Sequence, residues 1–262
     1  MASRVKSEGV PAVLHTVAIL RYLQDVGNQP TPMMEIARAL DINTSTCFNI
    51  LKTLASQRIL SYDEDSRKYT LGMALIELAS LVDNYGHLLA AAQAQAELVA
   101  RETNQVCLIF RKTSDDAFLV VGKAEGRRPL KVTATLGDRI APNGAVLAKA
   151  WYPWCDDAEV DRMIAAHGLP ARAPHSITGE LGFKQELIRS RGRGYSTSIG
   201  EYYAEHNAVG CAVLAPDGSP QLLLVITGFA SQITPHSMPE LGRRLRQAAE
   251  AITADVFSPR NP

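Results

Sequence analysis

Between positions 44 and 54 the chain reads Thr-Ser-Thr-Cys-Phe-Asn-Ile-Leu-Lys-Thr-Leu. At helical spacing, Ile50, Leu51 and Leu54 share an apolar face, which leaves Thr44, Ser45, Thr46, Phe48, Asn49 and Lys52 near the opposite one. Small hydroxyls, one amide and one cation on a helix face suit a DNA major groove. Asn pairs two-pronged with an adenine edge, and Ser or Thr reaches a base edge or a phosphate. Catalytic chemistry has less support. His206 and Cys211 invite a Cys–His arrangement, but no nucleophile elbow or oxyanion motif accompanies them. The four cysteines (Cys47, Cys107, Cys155, Cys211) have no CxxC spacing, so no zinc knuckle or disulfide framework is expected. His167, His175 and His236 stand alone. The expectation is a chain that is not an enzyme and carries no cofactor or resident metal, with Cys211 and His206 as the pair for an alternative metal- or redox-sensing reading.

Elements that would position the reading face lie on both sides of it. Thr31 and Pro32 suit an N-cap and first turn, with Ile36, Ala37 and Leu40 recurring behind them. A break at Asp41-Ile42-Asn43 follows, and Asn43 or Thr44 can cap the second helix. Residues 57–62 and 68–71 then read as two strands around the polar tip Asp63-Glu64-Asp65-Ser66-Arg67. Helix, short break, hydroxyl-rich helix and hairpin in this order predict a winged helix-turn-helix, with Arg67 and Lys68 of the wing beside the DNA backbone. Val13, Val17, Leu20 and Leu23 supply a buried stripe for a helix ahead of it.

A chain of 262 residues with 46% apolar and 21% charged residues is long enough for two ordinary globular domains. No apolar run approaches a membrane span, and the N-terminus lacks a signal-peptide core, so a cytoplasmic protein without a membrane partner is expected. Its 27 basic and 27 acidic residues cancel. Phosphate attraction dominates non-specific affinity, so a neutral chain must concentrate its cations locally. Arg4, Lys6, Lys52, Arg58, Arg67 and Lys68 are the candidates, against Asp63, Glu64 and Asp65. A modest grip of this kind favours two or more copies on one DNA molecule.

Beyond Gly72, Met73, Leu75, Ile76, Leu78, Ala79, Leu81 and Val82 give a helical pattern, and an alanine-rich run follows over 88–100. The alanine-rich helix could be a spacer or a close-packing surface. Further on, 106–110 and 118–124 read as strands, 130–135 as another, and Asn143-Gly144-Ala145 opens a helix. Helices around 158–167 and 179–191, a strand from Tyr195, a hairpin over 209–229 and a closing amphipathic helix over 238–256 complete the chain.

Taken together, these features resemble the IclR family of bacterial transcriptional regulators over nearly the whole chain. The resemblance rests on the recognition-helix stretch, Tyr69-Thr70-Leu71-Gly72 closing the wing, Leu136-Gly137-Asp138-Arg139-Ile140, Arg193-Gly194-Tyr195, and residues 227–234, Thr-Gly-Phe-Ala-Ser-Gln-Ile-Thr. It implies an α+β protein: a winged helix-turn-helix DNA-binding domain (1–72), a linker helix (73–88) and a GAF-like α/β effector-binding domain (89–262). It also implies a homodimer or homotetramer, a repressor or an activator, in which a small-molecule effector alters binding to operator DNA or polymerase recruitment.

Departures from the family pattern bear on what is recognised. Thr44 and Asn49 stand where the family usually has Lys and Arg, His15 where it has Arg, and Ile199 where it has Asp. A usual Pro-Gly pair is replaced around Ala204-Glu205. The resemblance places the effector against the helix start at Asn143-Gly144-Ala145, where backbone N–H groups favour an acidic or polar group. The other walls would come from Cys107, Ser198, Ile199, Glu201, Ala208, Cys211, Val225 and Thr227. Ile199, with Tyr202 and Tyr203 near it, points to a larger or more apolar effector, within an overall expectation of an organic acid or an aromatic or apolar metabolite of a catabolic pathway.

Overall fold

A computed structural model describes residues 9–79 and 85–257. Arg4, Lys6, Leu81 and Val82 lie outside the described residues. The chain divides into two compact units, 1–83 and 84–262.

In the first unit, α1 (Pro11–Asp25), α2 (Met33–Ala39) and α3 (Thr44–Ser56) pack around Ile19, Leu23, Ile36, Cys47, Leu51 and Leu54. A three-stranded antiparallel sheet, in the order β1 (Thr31–Pro32), β3 (Lys68–Leu71), β2 (Leu60–Asp63), closes the unit, and α4 (Ala74–Ala79) follows it. Three details differ from the expectation. Thr31 and Pro32 form a strand on β3 instead of opening a helix, and the Thr31 hydroxyl donates to the Gln29 carbonyl. Residues 57–59 are not strand: Gln57 caps α3 and Arg58 turns with φ 57°. Val13 and Val17 are exposed, because α1 buries the face carrying Ile19 and Leu23.

The second unit is a six-stranded antiparallel sheet in the order β6 (Arg139–Ile140), β5 (Phe118–Glu125), β4 (Val106–Lys112), β9 (Pro220–Phe229), β8 (His206–Leu214), β7 (Ser196–Ile199). Its period-two alternation divides the core. Cys107, Ile109, Val209, Cys211, Leu224 and Ile226 face α5 (Tyr85–Thr103) and α9 (Met238–Phe257). Val106, Leu108, Ala208, Ala212, Leu223 and Val225 face α6 (Ala145–Trp151), α7 (Asp157–His167) and α8 (Glu180–Arg193). Ala92, Ala96 and Ala100 of α5 are buried, so the alanine run is a close-packing surface. Residues 130–135, expected as a strand, pair with no strand.

Candidate functional site

Helix α3 starts as its sequence predicts. Asn43 is the N-cap, and its Oδ1 accepts from the Ser45 amide at 2.9 Å and the Ser45 hydroxyl at 2.7 Å. Cys47, Leu51 and Leu54 are the buried positions, so Thr44, Ser45, Phe48, Asn49 and Lys52 stand exposed along the other side, with Thr46 half-buried at its edge. The Asn49 side-chain amide makes no hydrogen bond to any described residue, which leaves its donor and acceptor for an outside partner. Ser45 is already engaged at the cap. In the wing, the Asp63 carboxylate accepts from the Ser66 amide at 2.7 Å, and the Ser66 side chain first, then this amide, hold its carboxyl below the usual carboxylate range. Arg67 turns with φ 56° at the exposed tip, and Lys68 is half-buried. Arg58, counted among the phosphate-facing cations, is paired with both carboxylate oxygens of Glu77 at 3.0 Å. The cations left for DNA in the described part of this unit are therefore fewer than the sequence suggested.

In the second unit a cavity of about 270 Å³ opens between the sheet and α6. Of the residues expected around it, Gly144, Ala145, Ser198, Ala208, Val225 and Thr227 line it. Five others do not. Cys107 and Cys211 project into the core under α5 and α9. Cys211 Sγ–H donates to the Gly194 carbonyl at 3.2 Å, and burial pushes its thiol up to about 12. Ile199 follows the inward Ser198 on β7, so it points to the opposite face and is exposed. Glu201 turns away to meet Lys149 of α6, Nζ to Oε1 2.5 Å. Asn143 turns outward as well, donating Nδ2 to the His167 carbonyl at 2.8 Å.

The expected anion cradle at the α6 start is correspondingly reduced. α6 has seven residues, and the Gly144 amide already donates to the Ala141 carbonyl at 2.9 Å. Gly144 is required there for packing: a Cβ would sit 2.9 Å from Ile140 Cγ2.

The rest of the lining is not among the expected walls, although the sequence does single out Tyr202 and Tyr203 beside Ile199. Leu108 and Phe110 of β4 and Ile140 of β6 form apolar wall, and Val132, Thr133 and Ala134 pass along the mouth in the segment first read as a strand. Tyr202 and Tyr203 line the cavity with rings packed edge to face, centroids 5.0 Å apart. His206 lines it too, its Nε2 bonded to the Thr227 hydroxyl. Burial holds the His206 imidazole below its usual value. For Leu108, Phe110 and His206 the signal is parity along β4 and β8: the inward set is 106, 108, 110 and 206, 208, 210, 212.

The same parity disposes of the Cys211–His206 pairing. Positions 206 and 211 are an odd number apart on one strand, so the two side chains leave opposite faces of the sheet. Among the described residues no cluster of three or more His, Cys, Asp or Glu side chains could hold a metal ion. No helix among them is long and apolar enough to cross a membrane.

Two family models match the chain. One, the IclR helix-turn-helix domain, covers residues 12–64, and the other, the bacterial transcriptional regulator IclR C-terminal domain, covers residues 82–254. The HTH-type transcriptional repressor AllR of Klebsiella pneumoniae is 26% identical over 250 residues, spanning 94% of this chain and 90% of that protein. An IclR transcriptional regulator from Alicyclobacillus acidocaldarius has a similar structure, with TM-score 0.81 and 27% identity over 95% of this chain and 99% of that one. An IclR homolog from Microbacterium hydrocarbonoxydans, solved in complex with 4-hydroxybenzoate, shares the fold with TM-score 0.81 at 17% identity, covering 94% of this chain and 98% of that one.

Proposed function

The chain belongs to the IclR family of bacterial transcriptional regulators, and from that premise we propose that it represses transcription until a small organic effector enters the cavity beneath α6. The observation that carries this reading is the cavity itself: a volume fit for a small metabolite, with apolar walls and a few convergent polar groups. Two comparisons support it: AllR is a repressor, and the Microbacterium homolog holds an aromatic acid. The functional division we adopt is residues 1–72 for DNA, 73–88 as linker and 89–262 for the effector. The protein then acts in the cytoplasm, on double-stranded operator DNA. The test is a mobility-shift assay on the DNA upstream of its own gene, beside a melting-temperature screen of metabolites. A compound that binds the native state raises its apparent stability and, on this reading, releases the DNA. Compounds that raise the melting temperature and leave DNA binding untouched would refute effector control.

Residue by residue, we assign base reading to Asn49, with Thr44, Ser45, Thr46 and Phe48 beside it, and phosphate contact to Lys52, Arg67 and Lys68. Asn49→Ala is expected to weaken operator binding by about 1–3 kcal/mol, the value of a two-pronged base pair, with little change in non-specific binding. Lys52→Ala and Lys68→Ala should instead weaken all sequences alike and flatten the salt dependence. Titrations of operator and scrambled DNA at two salt concentrations separate the cases. An equal loss on both DNAs for Asn49→Ala would make it a scaffold residue.

We also assign a dimer formed through the DNA-binding unit. Val10, Val13, Leu14 and Val17 make one exposed apolar stripe on α1, at i, i+3, i+4 and i+7 spacing, with Val13 58% exposed. A second copy would bury it and supply the second recognition helix that a neutral chain requires. Light scattering is expected to give at least a dimer, and Val13→Glu with Val17→Glu to shift it toward monomer and weaken operator binding. A monomeric wild type with full operator affinity would sink this assignment.

A further inference from the structure

The polar groups of the cavity, taken with its charges, specify the kind of ligand it accepts. Ser198, Ala208 and Thr227 are register partners on β7, β8 and β9, so they form one row across the sheet on the cavity face. Adjacent strands lie about 4.8 Å apart, which puts the Ser198 and Thr227 backbones about 10 Å apart with only the Ala208 methyl between them. At one end of the row, Ser198 is 3% exposed, and its hydroxyl makes no hydrogen bond to any described residue. Ser198 borders the cavity, so this open donor and acceptor face the space a ligand would fill. At the other end, Thr227 and His206 are bonded to each other and keep further donor and acceptor capacity.

Among the described residues no lysine or arginine lines this space. The cations beside it are committed elsewhere: Lys149 to Glu201, Arg172 to the Asn143 side-chain Oδ1 and the face of the Tyr202 ring, Arg128 to the Asn104 carbonyl, and Lys131 to Glu125. The one carboxylate of the lining, Asp138, sits exposed and accepts from the Thr135 amide. His206 is half-buried, against the Thr227 hydroxyl and the Tyr203 ring. An anion entering this cavity would exchange water for hydroxyls and hydrocarbon, with a negative charge at the rim and no counter-charge within, and that transfer is strongly unfavourable.

From this arrangement we infer that the effector is uncharged: a flat apolar body laid over Ala208, with one hydrogen-bonding group for Ser198 and another for the His206–Thr227 pair. This rests on the reading of the cavity as the effector site and adds the ligand's charge and the two groups that read it.

Matched probes test it. 4-Hydroxybenzamide and 4-hydroxyacetophenone are compared with 4-hydroxybenzoate, which has the same ring and phenol but a carboxylate at the far end. Calorimetry on the full chain is expected to show the two uncharged probes binding at least tenfold more tightly than the acid. Ser198→Ala should weaken the uncharged probes by roughly five- to tenfold, the value of one hydrogen bond. Thr227→Val should weaken them at least as much, with circular dichroism showing both variants folded. Ser198→Ala removes a hydroxyl that bonds to no described residue, so its fold is expected to be unperturbed. Tighter binding of the acid, or unchanged affinity in Ser198→Ala, overturns the inference and leaves the effector reading intact. Binding of none of the three overturns the inference and removes the cavity from the effector reading as well.

Discussion

Glu201→Ala is expected to destabilise the C-terminal unit by about 3–5 kcal/mol, the cost of leaving a buried ion without its partner. The Lys149 side chain is 2% exposed and that of Glu201 12%, and the ammonium and carboxylate meet at 2.5 Å. Burial pushes the Lys149 ammonium down from its usual value, and the Glu201 carboxylate opposes that shift. With the carboxylate gone, Lys149 must either stay charged without compensation or lose its proton at neutral pH, and both routes cost stability. Replacing the two together, Lys149→Met with Glu201→Leu, removes the charge and should recover most of the loss. Urea unfolding at pH 7 measures all three proteins. A loss below about 1 kcal/mol in the single variant would mean that the pair behaves as an exposed one.

The pair also bears on the cavity. Glu201 directly precedes Tyr202 and Tyr203, and its carbonyl accepts from the Ser176 hydroxyl at 2.7 Å. Glu201 thus ties down the loop carrying the aromatic wall by one side-chain ion pair and one main-chain bond. Glu201→Ala removes the first and leaves the second.

The DNA-binding unit was legible because local rules decide it. Asn43 caps α3 within its own turn, and Leu51 and Leu54 are buried at the spacing a helix imposes. Where a neighbour decides instead, the local reading fails. The face of α1 carrying Val13 and Val17 is as apolar as the face that packs, and only the positions of α3 and β3 select Ile19 and Leu23. Residues 130–135 have strand-like composition, yet no strand edge receives them. They run past the cavity mouth instead.

The cavity residues divide along the same line. Ser198, Ala208, Val225 and Thr227 could be placed together because they share one face of paired strands. Cys107, Ile199 and Cys211 could have been rejected by the same rule. Ser198 and Ile199 are adjacent on one strand, and 208 and 211 differ by an odd number, so neither pair can share a face. Tyr202, Tyr203, Asn143 and Glu201 lie in loops, where no period applies. Their directions are set by Lys149, Arg172 and Ser176, which are remote in sequence.

Ala208→Phe is expected to abolish the effector response while leaving operator binding in the absence of effector within about twofold of wild type. Ala208 is the small residue at the centre of the Ser198–Thr227 row, and its methyl faces the open volume. A benzyl group there grows into space a ligand would occupy, so the 1–3 kcal/mol typical of overpacking a filled core is largely avoided. Gly144→Val, the substitution that chain order alone would suggest, is a poorer test. Its side chain would collide with Ile140 and the Ala141 carbonyl and disturb the fold whether or not a ligand binds there. Cys211→Ala serves as the control, since Cys211 lies three residues further along β8 on the opposite face of the sheet. It should lose some stability and keep the full response. Ligand-induced melting shifts and DNA release, measured in both variants with a compound active on wild type, make the comparison. A full response in Ala208→Phe, or a lost response in Cys211→Ala with the protein folded, would put the effector on the other side of the sheet.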